Sequence, residues 1–141
     1  MYEQNIPVII ISAGIGNVIE EFLNTENDYY DNIKIISNFI SFENGIFKEV
    51  IGDTIHALNK NIVCLDDESK QILKERKNIL LFGDGLADLK MISEEEKENA
   101  IMVGFLDEKI NENLEHYNKG FDIVLTNQGS FEEVNNILRI Y

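Results

Sequence analysis

In NILLFGDGLADLKM, residues Asn78 to Met91, an apolar run short enough for a buried strand (Ile79 to Phe82) breaks at Gly83-Asp84-Gly85 and gives way to a helical pattern. Two carboxylates, Asp84 and Asp88, stand four residues apart across that break. One can project from the strand end while the other lies in the first turn of the following helix, so that both face one crevice. Open α/β sheets place ligands at the carboxyl ends of parallel strands, and hard oxygen donors of this kind suit Mg²⁺. A surface strand-to-helix turn with an aspartate cap fits the same residues equally well.

Outward from this stretch the pattern repeats. Ile6 to Ile11 is a β-branched run with Pro7 near its start, and it ends at Ser12-Ala13-Gly14. Ile15, Val18, Ile19, Phe22 and Leu23 then recur at helical spacing, with Asn17 and Glu20 placed for a capping box. After a polar segment from Asn24 to Asn32, Ile33 to Ile36 forms a second short apolar run followed by Ser37-Asn38. Residues 39–50 alternate about Asn44-Gly45 and predict a β-hairpin flap. Gly52 to Asn61 reads as a loop, Asp66 to Lys77 as a charged surface helix, and Ser93 with Glu96 as a helix start. Ala100 to Phe105 and Phe121 to Leu125 are further strands, separated by a helix over Asp107 to Tyr117 with Ile110, Leu114 and Tyr117 on one side. Ser130 and Glu133 open a closing helix whose inward stripe is Phe131, Val134, Ile137, Leu138 and Tyr141. Strands alternating with helices, and apolar runs without a period of two, predict an α/β fold built on a parallel sheet with helices on both faces.

Composition narrows the chemistry. A chain of 141 residues with 44% hydrophobic content is one domain's worth. Its 26 acidic against 12 basic residues give a formal charge of -14 with no basic cluster, which argues against nucleic acid and anionic membranes as partners. An anionic ligand would need positive charge from a metal, a lysine or a helix N-terminus. Cys64 is alone, so no intramolecular disulfide is expected, a reducing cytoplasmic setting fits, and the thiol reads as packing. No run is long enough to span a bilayer, and Ile6 to Ile11 has Glu3 rather than a basic region before it.

Three places could carry chemistry. Ser12-Ala13-Gly14, between a strand and a helix, offers a hydroxyl and backbone N–H groups to a phosphate. Gly14 and Gly16 begin a dinucleotide fingerprint, but Ile19 stands where its third small residue belongs. Lys60 is the only basic residue between Lys48 and Lys70, although a solvated lysine is the commoner role. The third place is the Asp84 and Asp88 pair. His56 has no patterned carboxylate partner and is set aside.

A serine at one strand end, a later lysine and an aspartate pair at another strand end resemble the ordered set of the haloacid dehalogenase superfamily of phosphohydrolases. Within it, the chain resembles the C-terminal half of a cytosolic 5'-nucleotidase of the pyrimidine-nucleotidase type. The resemblance runs through ISAGIGNVIEEFL, IISNFISFENGIFKEV, IHALNK, ILLFGDGLADLKM, VGFLDEKINENLEHY and FDIVLTNQGSFEEVNNIL, nearly the whole chain. It implies a Rossmann-like parallel core and a Mg²⁺-dependent phosphohydrolase acting on nucleoside 5'-monophosphates, those of pyrimidines in particular. Ser12 would bind the transferring phosphoryl group with the Ala13 and Gly14 backbone, and Lys60 would neutralise phosphate and nucleophile. Asp84 would ligate Mg²⁺, and Asp88 would be the second carboxylate of that motif, orienting the metal shell or the lysine. The family pattern has serine after the Gly-Asp, where this chain has Gly85; Asp84 stays in place.

One family element is not in the sequence. The superfamily's nucleophile and acid/base partner lie on an Asp-x-Asp motif, and no Asp-x-Asp occurs here. The resemblance therefore implies that the nucleophile, the central strand and the base-selecting cap lie outside these residues. It further implies that the isolated chain is inactive, and that it self-associates or pairs with an N-terminal half. A non-catalytic fragment that only binds phosphate or nucleotide, and a complete flavodoxin-like domain with the strands ending at Ser12 and Gly83 paired directly, are the two alternatives.

Overall fold

The computed structural model describes residues 1–57, 59–60 and 64–140, the side chains at 133, 137, 138 and 140 excepted. The chain divides into two compact units, Met1–Lys77 and Asn78–Tyr141. In the first, β1 (Val8–Ile15), α1 (Gly16–Glu26), β2 (Ile33–Glu43), β3 (Ile46–Ile51) and α2 (Asp67–Glu75) follow in order. The second holds β4 (Ile79–Gly83), β5 (Ala100–Leu106), α3 (Ile110–Gly120), β6 (Ile123–Thr126) and α4 (Glu132–Ile140), with 3₁₀ turns at Leu86–Met91 and Glu96–Asn99. The described strands form two sheets, β1-β2-β3 and β4-β5-β6. β1 and β4 belong to different sheets, so the direct pairing required by a complete flavodoxin-like sheet is not among the described strand pairs. Parallel pairing, expected from the unbroken apolar runs, joins β1 to β2, β4 to β5 and β5 to β6.

In the first unit, the apolar run at Ile33 and the hairpin over residues 39–50 turn out to share one strand. β2 runs 11 residues straight through Ser37-Asn38, pairing parallel with β1 in its first half and antiparallel with β3 in its second. The polar dipeptide does not end the strand because both side chains find backbone acceptors on β1. The hairpin turns at Asn44 and Gly45, both at positive φ (52° and 77°), as the pair requires. α2 is set by Asp66, whose Oδ1 accepts the Ser69 N–H at 2.8 Å while Asp67 and Glu68 occupy the first turn. Lys34 Nζ lies 2.8 Å from the same carboxylate. That hydrogen bond, and then the Ser69 N–H, hold Asp66 down to about 2.

One expectation about α1 is corrected. Asn17 does not join Glu20 in a capping box: the helix begins at Gly16 without a side-chain cap. Instead the Asn17 carboxamide accepts from Ile40 N–H (2.8 Å) and donates to Ile40 C=O (3.3 Å), serving as a ladder partner for β2. Of the apolar positions that recur at helical spacing, Ile19 and Leu23 are half-buried, whereas Val18 and Phe22 are 62% and 63% exposed. The apolar arc of the helix is wider than the sheet beneath it covers.

Most of the buried apolar side chains among the described residues belong to the second unit. Leu106, Tyr117 and Phe121 are buried together, flanked by Leu89, Met102, Ile110 and Val124. Phe131 is half-exposed yet meets the rings of Phe82 and Phe105 at 5.6 and 5.3 Å between centroids. Val134 is fully buried; Ile137, Leu138 and Tyr141 of the expected stripe lie outside the described side chains. Leu114 is exposed. Ser93 and Glu96 close the predicted capping box, Ser93 N–H donating to Glu96 Oε2 at 2.7 Å and Glu96 N–H to Ser93 Oγ at 3.3 Å. Ser130 Oγ accepts the Glu132 N–H, and the Glu133 half of the other expected box is outside the described side chains.

Candidate functional site

Within the first unit, β1 keeps a regular register with β2 through Ile11 and then slips, resuming at Ile15 opposite Asn38. Ser12-Ala13-Gly14 is the slipped segment, and Ala13 and Gly14 are exposed. Its carbonyls are tied down: Asn38 Nδ2 donates to Ala13 C=O at 2.9 Å and Ser37 Oγ to Gly14 C=O at 2.9 Å. A trans peptide points its N–H opposite to its C=O, so fixing the Ala13 carbonyl turns the Gly14 N–H to the other side. There it donates to Ser12 Oγ at 3.0 Å. The result is a short bulged loop whose hydroxyl and amide are held together. α1 starts right behind it at Gly16, where a Cβ would fall 2.7 Å from the Phe39 ring. Only a glycine lets the helix come this close to β2.

The segment carrying Lys60 belongs to the same unit. Asn59 N–H and Lys60 N–H both donate to His56 C=O at 3.0 Å, closing a tight turn. Leu58 and residues 61–63 lie outside the described residues. Cys64, expected to do no more than pack, donates its Sγ–H to Asn59 C=O at 2.8 Å.

In the second unit, Asp84 sits exposed immediately after β4, while Asp88 is 5% exposed inside the 3₁₀ turn. Asp88 Oδ2 accepts the N–H groups of Asp84 (3.0 Å) and Gly85 (3.2 Å). The two carboxylates therefore differ in role: Asp88 shapes the turn from inside, and Asp84 is presented by it. Beneath them, Tyr117 donates its hydroxyl to Asp84 C=O at 2.6 Å. Burial first, then the charges of Asp84 and Asp88, push the Tyr117 phenol up from its ordinary value. The sequence places Tyr117 only on one side of a helix with Ile110 and Leu114; the signal for its further role is that a buried phenol needs an acceptor.

Among the described residues no group of three or more His, Cys, Asp or Glu side chains converges as a metal cage. This donor set fits half of a magnesium site. Mg²⁺ keeps several waters and takes one or two carboxylates together with substrate phosphate, and Asp84 supplies one exposed carboxylate on a turn held rigid by Asp88 and Tyr117. A cleft of about 390 Å³ in the first unit, lined by residues including Asn5, Asn32, Lys34 and Glu68, contains none of the candidate residues. No helix among the described residues is long and apolar enough to cross a membrane.

Comparison with known proteins agrees over the whole length. The family model described as Pyrimidine 5'-nucleotidase (UMPH-1) matches residues 1–141. The chain is 41% identical over 142 residues to the 7-methylguanosine phosphate-specific 5'-nucleotidase B of Xenopus laevis, covering 99% of this chain and 49% of that protein. With the Homo sapiens 7-methylguanosine phosphate-specific 5'-nucleotidase it shares 36% identity, again over 99% of this chain and 47% of the other. A crystal structure of cytosolic 5'-nucleotidase IIIB bound to cytidine superposes with a TM-score of 0.86 at 28% identity, covering 98% of this chain and 47% of that one. The chain thus spans about half the length of the relatives it matches. With a family model matched from first residue to last, this chain belongs to the pyrimidine 5'-nucleotidase family.

Proposed function

We propose that this chain is the phosphate- and metal-binding part of a Mg²⁺-dependent phosphohydrolase that removes the 5'-phosphate of nucleoside monophosphates, and that it does not turn over by itself. The observation that carries the reading is the anchored Ser12-Ala13-Gly14 loop, whose carbonyls are tied to β2 and whose hydroxyl and amide stay together at 3.0 Å. Such a loop fixes the Ser12 hydroxyl, its oxygen already accepting the Gly14 N–H, where it can donate to a phosphoryl oxygen as charge develops there. Ser12 Oγ and the backbone of Ala13 and Gly14 bind the phosphoryl group, and Lys60 balances its charge. Asp84 is the magnesium ligand of this chain, with Asp88 as the carboxylate that orients it. Bound there, Mg²⁺ would act as a Lewis acid on phosphoryl oxygens. The attacking carboxylate comes from polypeptide outside these residues, since the chain has no Asp-x-Asp. The exposed ridge of Val18 and Phe22 on α1, and Phe42 and Phe47 paired on the hairpin, leave apolar surface available to it. Substrates are pyrimidine nucleotides or 7-methylguanosine phosphate, the classes named for the family and for its curated relatives.

Titration of the chain with inorganic phosphate, followed by calorimetry with and without Mg²⁺, tests the reading. Saturable binding that Mg²⁺ strengthens is expected. Ser12→Ala and Lys60→Ala should each weaken it about tenfold, the worth of one charge-assisted hydrogen bond. Asp84→Asn should abolish the Mg²⁺ effect alone. Binding that is absent, or indifferent to all three substitutions, would contradict it.

A further inference from the structure

Asn38 lies at the point where β1 resumes its pairing with β2, and its carboxamide reaches in two directions. Nδ2 donates to Ala13 C=O at 2.9 Å and to Ile55 C=O at 2.8 Å, while Oδ1 accepts the Ile55 N–H at 2.7 Å. An asparagine side chain has two donors and a two-lone-pair acceptor, so this one is nearly saturated by main-chain groups from two segments far apart in sequence. Toward Ile55 it acts as a strand would, satisfying both backbone groups of a half-loop residue whose side chain is buried. The segment around Ile55 has no regular secondary structure to fix it.

A second asparagine continues the connection. Asn59 Oδ1 accepts the His56 N–H at 2.6 Å, and Nδ2 donates to Thr54 C=O at 3.0 Å. Thr54 and His56 are thereby clamped on either side of the residue that Asn38 holds. Lys60 follows Asn59 directly, its N–H bonded to His56 C=O. From the serine loop to the lysine, the Asn38 carboxamide joins Ala13 to Ile55, the Asn59 carboxamide holds Thr54 and His56 on either side of Ile55, and a main-chain bond from Lys60 N–H to His56 C=O completes the connection.

We propose that Asn38 is a positioning residue which, with Asn59, sets the lysine-bearing segment in a fixed arrangement with the Ser12 loop, so that Lys60 and the loop hold one phosphoryl group together. This rests on the reading of that loop and lysine as a phosphate site. Asn38 itself touches main chain, not ligand; it acts through Ala13 and through Lys60. Displacements of about 1 Å in such groups are known to cost as much as a hundredfold in function, which makes a rigid connection worth having.

The test is a double-mutant cycle on the affinity for inorganic phosphate. Asn38→Ala is expected to weaken binding about tenfold, the effect of losing one or two well-aligned hydrogen bonds. Lys60→Ala should then cost less than about threefold in the Asn38→Ala background, because the lysine has already lost its place. Additive losses would overturn the proposal, as would an Asn38→Ala chain that melts lower yet holds phosphate as tightly as the wild type. Asn38→Ser, which keeps one donor, should fall between the two and serves if the alanine variant does not fold. If the wild-type chain binds no phosphate, the functional reading fails separately, and amide hydrogen exchange decides this proposal. Exchange at Gly14, Ile55 and Lys60 should then rise together in Asn38→Ala, and an unchanged rate at Lys60 would overturn it.

Discussion

Replacing Gly83 by alanine should lower the stability of the Asn78–Tyr141 unit by about 2 to 4 kcal/mol, the combined scale of overpacking and of buried polar groups left unpaired. A Cβ at this position would lie 2.5 Å from Asp88 Cβ and 2.6 Å from Asp88 Oδ2. Neither atom can give way cheaply, because the carboxylate is fixed by the N–H groups of Asp84 and Gly85. Pushing it aside breaks those bonds, and the turn that presents Asp84 opens. Gly85, two residues on, is the internal control. It has an extended backbone (φ -138°, ψ 150°), and a Cβ there meets nothing nearer than 3.9 Å. Gly85→Ser should change stability by less than about 0.5 kcal/mol, like an ordinary surface substitution. Urea unfolding followed by circular dichroism separates the two, and equal midpoints for Gly83→Ala and wild type would refute the packing argument. By the same geometry, glycine in place of the expected serine at residue 85 should cost the turn little, since a Cβ there meets nothing nearer than 3.9 Å.

Removal of the Asp88 carboxylate is expected to be as severe. Asp88→Ala leaves two main-chain donors, at Asp84 and Gly85, without their acceptor beside a nearly buried site, for a loss of about 2 to 4 kcal/mol. Asp88→Asn keeps an oxygen in place and should lose about 1 kcal/mol, the difference between a charged and a neutral acceptor. Asp84→Asn, at an exposed position, should leave the unfolding curve unmoved while removing the response to Mg²⁺. The pair of aspartates would thus separate by experiment into one that holds the turn and one that meets the metal. Should Asp84→Asn destabilise the unit as much as Asp88→Ala does, that division of roles is wrong.

Much of this was legible in the chain itself because the signals are local. An apolar run ending in Ser12-Ala13-Gly14 or Gly83-Asp84-Gly85 announces a strand and the loop after it, and Asp66 announces α2 by capping it. What could not be read is what depends on partners distant in sequence. Ser37-Asn38 looked like the end of a strand, since two polar residues ordinarily need water; here their partners are Gly14 and Ala13, more than 20 residues earlier. Asn17 looked like a helix-cap residue and instead pairs with Ile40. Val18 and Phe22 repeat with the helix period, but periodicity reports only that a face is apolar, not that anything covers it. For the candidate site, the strand ends already mark Ser12-Ala13-Gly14 and the Asp84 and Asp88 pair, and the family resemblance adds Lys60 and the separate roles, whereas Asn38, Asn59 and Tyr117 emerge as positioning groups only from the hydrogen bonds they make.

The most direct test of the account is release of phosphate from a nucleoside 5'-monophosphate by the purified chain in the presence of Mg²⁺, measured alone and after mixing with the polypeptide that supplies the other half of the relatives' length. No turnover by the chain alone, and activity on mixing that Lys60→Ala and Asp84→Asn abolish, is the expected result. Metal-dependent turnover by the chain alone, lost in those same two variants, would contradict it, since a nucleophile would then lie within these 141 residues.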